Sequence, residues 1–206
     1  MNGISVIIPV KEPEPYLTQL TAEIYLMLKD QDHEILCQYE VGLTNAVIEG
    51  VKRSKFSHIV VMDADGSHCP AFIRLMFLQF HPYGVNVKFP LDLVIGSKLG
   101  RMSKDMSPLH RRIISYFFRS YARFMLGLKV SDPMSGFVMG RREIFQQLEP
   151  SNDYKFLLQL LCLNPPPKVI ELPINFFPRR SGFSKATLRT GLRTLSLIHK
   201  LWRKRA

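Results

Sequence analysis

The 206-residue sequence predicts an α/β domain whose mostly parallel central sheet is flanked by helices. Two observations carry this. Short apolar, β-branched runs alternate with stretches of helical periodicity along the chain. The runs at Ile4–Val10 and His58–Met62 are nearly continuous in apolar residues, as strands covered on both faces are. A hydrophobic content of 46% supplies enough side chains for one full core.

Taken in order, Ile4–Val10 is a buried strand ended by the Pro-rich turn Lys11-Glu12-Pro13-Glu14-Pro15. Leu17–Leu28 places Leu17, Leu20, Ile24, Met27 and Leu28 at helical spacing. Glu34-Ile35-Leu36 is a short second strand, and Leu43–Val51 a second helix. His58–Met62 is a strand that runs directly into Asp63-Ala64-Asp65. Pro70–Phe80 is helical and Leu91–Gly96 a strand. Ser107–Leu128 is a long helix with Pro108 near its start and Gly127 near its end. Phe137–Met139 is a strand followed by a helix around Arg141–Leu148. Lys168–Ile174 is extended but contains Pro173, which suits an edge or a strand end. Lys185–Arg203 closes the chain as an amphipathic helix.

Cys37, Cys69 and Cys162 are odd in number and widely spaced, which argues against a disulfide framework and a four-cysteine zinc site and favours a reducing, cytoplasmic compartment. No apolar run approaches the ~20 residues of a membrane-spanning helix, and the first residues lack a basic start, so they read as a strand and not a signal peptide. The net charge of +11 is uneven. Residues 1–105 hold 10 Lys/Arg and 12 Asp/Glu; residues 106–206 hold 18 and 5. All of the basic excess lies in the second half, which suggests a polyanionic partner there: nucleic acid, an anionic membrane or a phosphorylated lipid.

In parallel sheets ligands bind beyond the carboxyl ends of the strands, where Asp63 and Asp65 stand. Two carboxylates one residue apart repel, and a divalent cation removes the repulsion while bridging to a diphosphate. The same pair also suits a polar loop with a helix N-cap at Asp65 or Ser67. Further blocks favour the first reading. Asp63-Ala64-Asp65-Gly66-Ser67-His68-Cys69-Pro70 resembles the Asp-Ala-Asp-x-Ser-His-Pro-Pro signature of dolichol-phosphate mannose synthases and related polyprenyl-phosphate glycosyltransferases. In the family's order, similar blocks occur at Ile7-Ile8-Pro9-Val10-Lys11-Glu12, Gly42-Leu43-Thr44-Asn45-Ala46 and Val94-Ile95-Gly96-Ser97-Lys98. Two more occur at Gly127-Leu128-Lys129-Val130-Ser131-Asp132-Pro133-Met134-Ser135-Gly136-Phe137 and Arg179-Arg180-Ser181-Gly182-Phe183-Ser184-Lys185.

The resemblance implies an inverting, metal-dependent glycosyltransferase of the nucleotide-binding GT-A fold, with residues 1–184 as the catalytic domain and 185–206 as a basic tail. It places the donor over Pro9, Val10 and Glu12, with Asp63 and Ala64 beside it. Mg²⁺ or Mn²⁺ would sit on Asp63 and Asp65, with Ser67 nearby. Lys98, Asp132, Arg179, Ser184 and Lys185 would surround the sugar and acceptor phosphate, and Arg111 and Arg112 are outer candidates. The partners so implied are a nucleotide sugar (GDP-mannose or UDP-glucose), a polyprenyl phosphate and a membrane surface, with the protein peripheral on the cytoplasmic face. Nucleic acid is not expected, because the basic residues accompany aliphatic stripes and match no nucleic-acid motif.

Two departures stand out. The family's Asp-Asp-Gly-Ser turn, and the helix and strand that follow it, are missing between Leu36 and Gly42, and a nucleobase contact goes with them. Lys98 stands where the family has Arg, keeping the charge but not the bidentate fork.

A phosphate monoester, with a second pKa of about 6, is already dianionic at neutral pH and needs cations more than a base. Arg179 and Lys185 suit that grip. A hydroxyl acceptor on a glycan or protein would need a base, with Asp132 the first candidate; Asp132 also suits a purely structural turn before proline. A non-catalytic basic binding protein on the same scaffold is the remaining alternative. His68 is expected to neighbour a helix cap. Ser107–Leu128 and Lys185–Arg203 both mix apolar and basic residues in the manner of membrane-interface helices. In the last helix Leu188, Leu192, Leu195, Ile198, Leu201 and Trp202 form the predicted lipid-facing side. The earlier helix is expected to pack partly on the core.

Overall fold

The computed structural model describes residues 3–11, 14–40, 42–80, 91–99, 102–152, 154–180 and 188–205. Its strands are β1 (Ile4–Pro9), β2 (His33–Gln38), β3 (His58–Val61), β4 (Leu93–Ser97), β5 (Val138–Arg141) and β6 (Val169–Pro173). Its helices are α1 (Leu17–Met27), α2 (Leu43–Arg53), α3 (Ala71–Leu78), α4 (Leu109–Leu126), α5 (Arg142–Phe145), α6 (Phe156–Leu161) and α7 (Leu188–Arg205). The strands form one sheet in the order β2-β1-β3-β5-β4-β6. All neighbours are parallel except β5, which runs antiparallel to both β3 and β4.

The alternation of side chains along β1 shows how the sheet is covered. Ile4, Val6 and Ile8 pack with Leu20 and Ile24 of α1 and Ile73 and Met76 of α3. Ile7 faces the other way, with Val47 and Val51 of α2, Phe145 of α5 and Phe156 of α6. Each such side chain, fully withdrawn from water, contributes roughly 1.5–3 kcal/mol of hydrophobic stabilisation.

All six predicted strands are present, and β6 is an edge strand as Pro173 suggests. The helix α6 was not visible in the sequence. Its residues Phe-Leu-Leu-Gln-Leu-Leu are almost uniformly apolar and buried nearly all round, so no 3.6-residue stripe marks them. The reversal of β5 has a simple cause. After β4 the chain makes an excursion through α4 and re-enters the sheet at the same rim, so Val138, at the start of β5, pairs with Ile95, near the end of β4. The segment Ser131–Phe137 therefore lies at the carboxyl end of β3 and β4 although it precedes its own strand.

The closing helix corrects an expectation. Of its predicted lipid-facing side, Ile198 and Leu201 are buried, together with Leu197, against Ala122 and Leu126 of α4. Arg205 also donates from its guanidinium to the Leu126 carbonyl. Leu192 and Trp202 remain exposed. The helix is thus docked on the domain and is not a separate appendage, because its stripe has an apolar partner in α4. The beginning of α4, in contrast, has no buried residue before Ala122. Leu109, Ile113, Tyr116, Phe117 and Phe124 are 58–84% exposed along one face.

With the Asp-Asp-Gly-Ser unit absent, β2 has β1 as its single neighbour among the described residues and forms the other edge. In the sequence, four residues separate β2 from α2.

Candidate active site

Four segments converge at the carboxyl ends of the strands: Pro9-Val10 after β1, Met62–His68 after β3, Ser97-Lys98 at the end of β4, and Ile174–Arg180 after β6. The reversed β5 brings Ser131–Gly136 to the same rim.

The acidic segment is shaped by its own backbone. Asp65 Oδ1 accepts the Ser67 amide at 3.0 Å, which closes a local turn. Gly66 sits inside that turn at φ +75, and a Cβ there would lie 2.7 Å from the Tyr16 ring, so the position requires glycine. The helix that follows, α3, is preceded by Pro70 and has no side-chain cap. Neither Asp65 nor Ser67 is therefore its N-cap.

Asp63 is half-buried, and its carboxylate lies against Gly136, where an added Cβ would come 3.2 Å from Oδ2. Ala64 and Val10 are core residues beneath the site. The Ser67 side chain is fully buried and its Oγ has no hydrogen-bond partner. Among the described residues no three His, Cys, Asp or Glu side chains gather as a metal cage. What is present is a set of hard oxygen donors: two carboxylates and one orphaned hydroxyl. This fits Mg²⁺ or Mn²⁺, which bind through one or two carboxylates and complete their shell with water and substrate phosphate. An orphaned buried hydroxyl costs about 1–3 kcal/mol, and a ligand at this point would relieve it.

His68 is neither a cap neighbour nor surface-exposed. It is buried, stacked on Phe137 with ring centroids 5.0 Å apart, and its Nδ1 faces the Asp63 amide at 3.4 Å. Burial lowers its pKa against the pull of Asp63 and Asp65, so it supports the acidic turn as a neutral ring.

Positive groups face these carboxylates. Arg179 Nε pairs with Asp65 Oδ2 at 2.9 Å. Lys98 pairs with Asp105 at 3.2 Å and lies over the Phe176 ring at 4.7 Å. Asp132 is 2% exposed, and burial raises its pKa, opposed by Lys98, Lys155 and Arg119. The Ser131-Asp132 loop hangs from Glu171 of β6, whose carboxylate accepts the Ser131 amide at 2.7 Å, the Ser131 hydroxyl at 2.8 Å and the Asp132 amide at 2.8 Å.

The structure thus brings together Asp63, Asp65, Ser67 and Arg179, and sets Lys98 beside Asp132. Arg111 is placed on the first turn of α4, and among the described residues its side chain joins none of them. Glu12, Ser184 and Lys185 lie outside the described residues. Three contributors have no motif in the sequence. Lys155 donates to the Met134 carbonyl at 3.0 Å, and burial lowers its pKa against the attraction of Asp63 and Asp132. Glu171 is the second. Gln38, at the end of β2 beside Pro9, buries an amide nitrogen without a partner. The one available signal for Gln38 was a polar residue following the apolar Ile35-Leu36-Cys37 at the carboxyl end of its strand. Lys155 and Glu171 act across 21 and about 40 residues of sequence, beyond any local pattern.

Comparison with known proteins bears on the family and the fold. The profile of the family described as Glycosyl transferase family 2 matches residues 21–149. The dolichol-phosphate mannosyltransferase of Pyrococcus furiosus is 32% identical over 79% of this chain and 45% of its own length. The dolichol-phosphate mannosyltransferase of Saccharomyces cerevisiae is 31% identical over 79% of this chain and 61% of its own. The polyprenol monophosphomannose synthase of Mycolicibacterium smegmatis is 30% identical, covering 81% and 64%. The chain therefore spans about half to under two thirds of the length of these relatives. Among solved structures, glucosyl-3-phosphoglycerate synthase from Mycobacterium tuberculosis in complex with Mn²⁺, UDP-glucose and phosphoglyceric acid superimposes with a TM-score of 0.68 at 13% identity, covering 98% of this chain and 80% of that one. The fold is that of the GT-A glycosyltransferases.

Proposed function

Because the chain belongs to glycosyl transferase family 2, we propose that it transfers a hexose from a nucleotide diphosphate sugar to a polyprenyl phosphate at a membrane surface, with inversion at the anomeric carbon. The observation that carries the reading is the turn after β3: two carboxylates and an orphaned hydroxyl, all hard donors, facing a rim of cations. The mannosyltransferase relatives favour mannose, and GDP-mannose and UDP-glucose are the two donors to compare.

In this reading Asp63, Asp65 and Ser67 hold the Mg²⁺ or Mn²⁺. The ion supplies positive charge to the departing diphosphate. Pro9, Val10, Glu12 and Ala64 lie along the donor, and the Gln38 amide offers it a hydrogen bond. Lys98 keeps the rim near Asp132 positive. Arg179 holds the acceptor phosphate in line with the anomeric carbon, Lys185 and Ser184 of the same sequence block are assigned to that phosphate as well, and Arg111 is an outer candidate. The acceptor oxygen is already ionised, so its attack requires alignment and no proton transfer.

A peripheral location on the cytoplasmic face belongs to the same proposal. No helix among the described residues is long and apolar enough to cross a membrane. The exposed apolar face of α4, flanked by Arg112 and Arg123, supports contact with anionic lipid.

The test is transfer of labelled sugar from GDP-mannose and UDP-glucose to dolichyl phosphate in detergent with Mn²⁺. We expect lipid-linked product with at least one donor, lost on chelation and reduced at least 100-fold in Asp65→Ala, by analogy with the loss of other transition-state charge stabilisers. No product from either donor, or full activity in Asp65→Ala, would refute the reading.

A further inference from the structure

We infer that Arg179 serves two anions in turn: Asp65 while the metal carboxylates are bare, and the acceptor phosphate once a divalent cation takes Asp65 over. The inference rests on the function proposed above and adds to it an order of binding.

Its basis is the strap that follows β6. Phe177 donates its amide to the Ser67 carbonyl at 3.0 Å, and Arg180 donates its amide to the Asp65 carbonyl at 2.9 Å. The strap is therefore stitched to the acidic turn on both sides of Arg179. From this fixed base the Arg179 guanidinium reaches Asp65 Oδ2 at 2.9 Å. The other oxygen, Oδ1, is engaged by the Ser67 amide. Both oxygens of the carboxylate are thus in use, and a cation binding at Oδ2 must share it with a guanidinium or displace it. Like charges at such a distance repel strongly in a half-buried site, so displacement is the outcome.

Displacement needs no movement of the backbone. The Arg179 side chain is 29% exposed at the rim, and the amides that anchor the strap belong to Phe177 and Arg180 and do not involve it. Its neighbour cannot take its place. Arg180 is engaged elsewhere: it lies over the Tyr16 ring at 4.9 Å and reaches Glu23 at 3.7 Å. Arg179 is then the cation released at the rim, where a dianionic phosphate is its natural partner in bidentate geometry. Before the metal arrives the same residue neutralises the acidic turn and is withheld from stray phosphates. By linkage, metal and acceptor phosphate each raise the other's affinity through this one side chain.

The test needs no turnover. Mn²⁺ binding is titrated by the electron paramagnetic resonance signal of the free ion, on the wild-type chain, Arg179→Gln, Arg179→Lys and Asp65→Asn, with folding checked by circular dichroism. Arg179→Gln removes the competing charge and is expected to bind Mn²⁺ more tightly, within the roughly 5- to 150-fold range of such couplings. Arg179→Lys keeps the charge and should stay near wild type, and Asp65→Asn should lose the site. Unchanged or weaker binding in Arg179→Gln would overturn the hand-over, as would an equal gain in Arg179→Lys; in either case wild-type binding that Asp65→Asn abolishes leaves the metal reading intact. Absence of Mn²⁺ binding in every chain would remove the metal site and the hand-over together.

Discussion

Glu171 shows how a single side chain sets the geometry of a loop it does not belong to. One carboxylate on the edge strand collects two amides and a hydroxyl from Ser131 and Asp132. Glu171→Ala would strand those donors. It is expected to lower stability by roughly 1.5–3 kcal/mol in a urea melt, the usual scale for a bond to a charged acceptor. It should also lower kcat for sugar transfer while leaving Mn²⁺ affinity unchanged, because Asp63 and Asp65 are held by other contacts. Asp105 makes a second prediction. Burial raises its pKa, but the Ser107 hydroxyl and amide and the Lys98 ammonium outweigh burial and hold it below 3.8. The unfolded chain therefore binds more protons than the folded one just below 3.8, so this stabilisation is complete above that value and is lost as pH falls through the folded pKa. Thermal melts from pH 6 to 3 should show a shallower acid limb in Asp105→Asn than in wild type. At this scale the sequence was legible where chemistry is local. The Asp63–His68 turn reads directly because its bonds span two to five residues. Lys155 and Glu171 did not, since their partners lie far along the chain and a lone Lys or Glu carries no pattern.

Elements were legible to the extent that one face of each is apolar and the other is not. Helices α1 and α2 follow that rule, the central strands are legible instead as short β-branched runs apolar on both faces, and α6 fails the rule by being apolar all round. The closing helix obeys the rule but hides which apolar surface it meets: periodicity reports that a stripe exists, and both a bilayer and α4 would satisfy it. Burial of Ile198 at 0% exposure decides for α4 over part of its length. Ile198→Ala is accordingly expected to cost about 2–5 kcal/mol, measured by chemical denaturation, as for other large-to-small changes in a packed core. Deleting residues 188–205 would uncover Ala122, Leu126 and Leu158, so a truncated chain tests folding before it tests lipid binding. The direction of β5 was also beyond periodicity, since alternation of side chains is the same for a strand read in either direction.

Across the whole molecule, the basic second half and the exposed face of α4 point to one outward function, and they predict how it responds to salt. Flotation with vesicles containing phosphatidylserine should recover the protein, recovery should fall as salt is raised from 0.05 to 0.5 M by about the screening of a Debye length shrinking below 10 Å, and neutral phosphatidylcholine vesicles should bind less. Ile113→Glu combined with Phe117→Glu should abolish flotation without lowering the melting temperature, because both side chains are more than half exposed. Equal flotation of that variant would remove α4 from the lipid contact. The sheet order and the docking of the late strap on the acidic turn depend on which strands meet, and that is a property of three-dimensional closure no window of sequence contains.

The excursion between β4 and β5 leaves the sheet and returns to it at the same rim, with Ile95 and Val138 side by side at its mouth. Strand pairing on either side is therefore indifferent to how far the chain travels in between. The excursion's stretch just before α4 is tied to the strap after β6, with the Met106 amide on the Phe176 carbonyl and the Phe176 amide on the Lys104 carbonyl, whereas the first turns of α4 hold no buried residue before Ala122. The outward face of those turns can therefore change in sequence while the buried contacts that fix the acidic turn stay as they are.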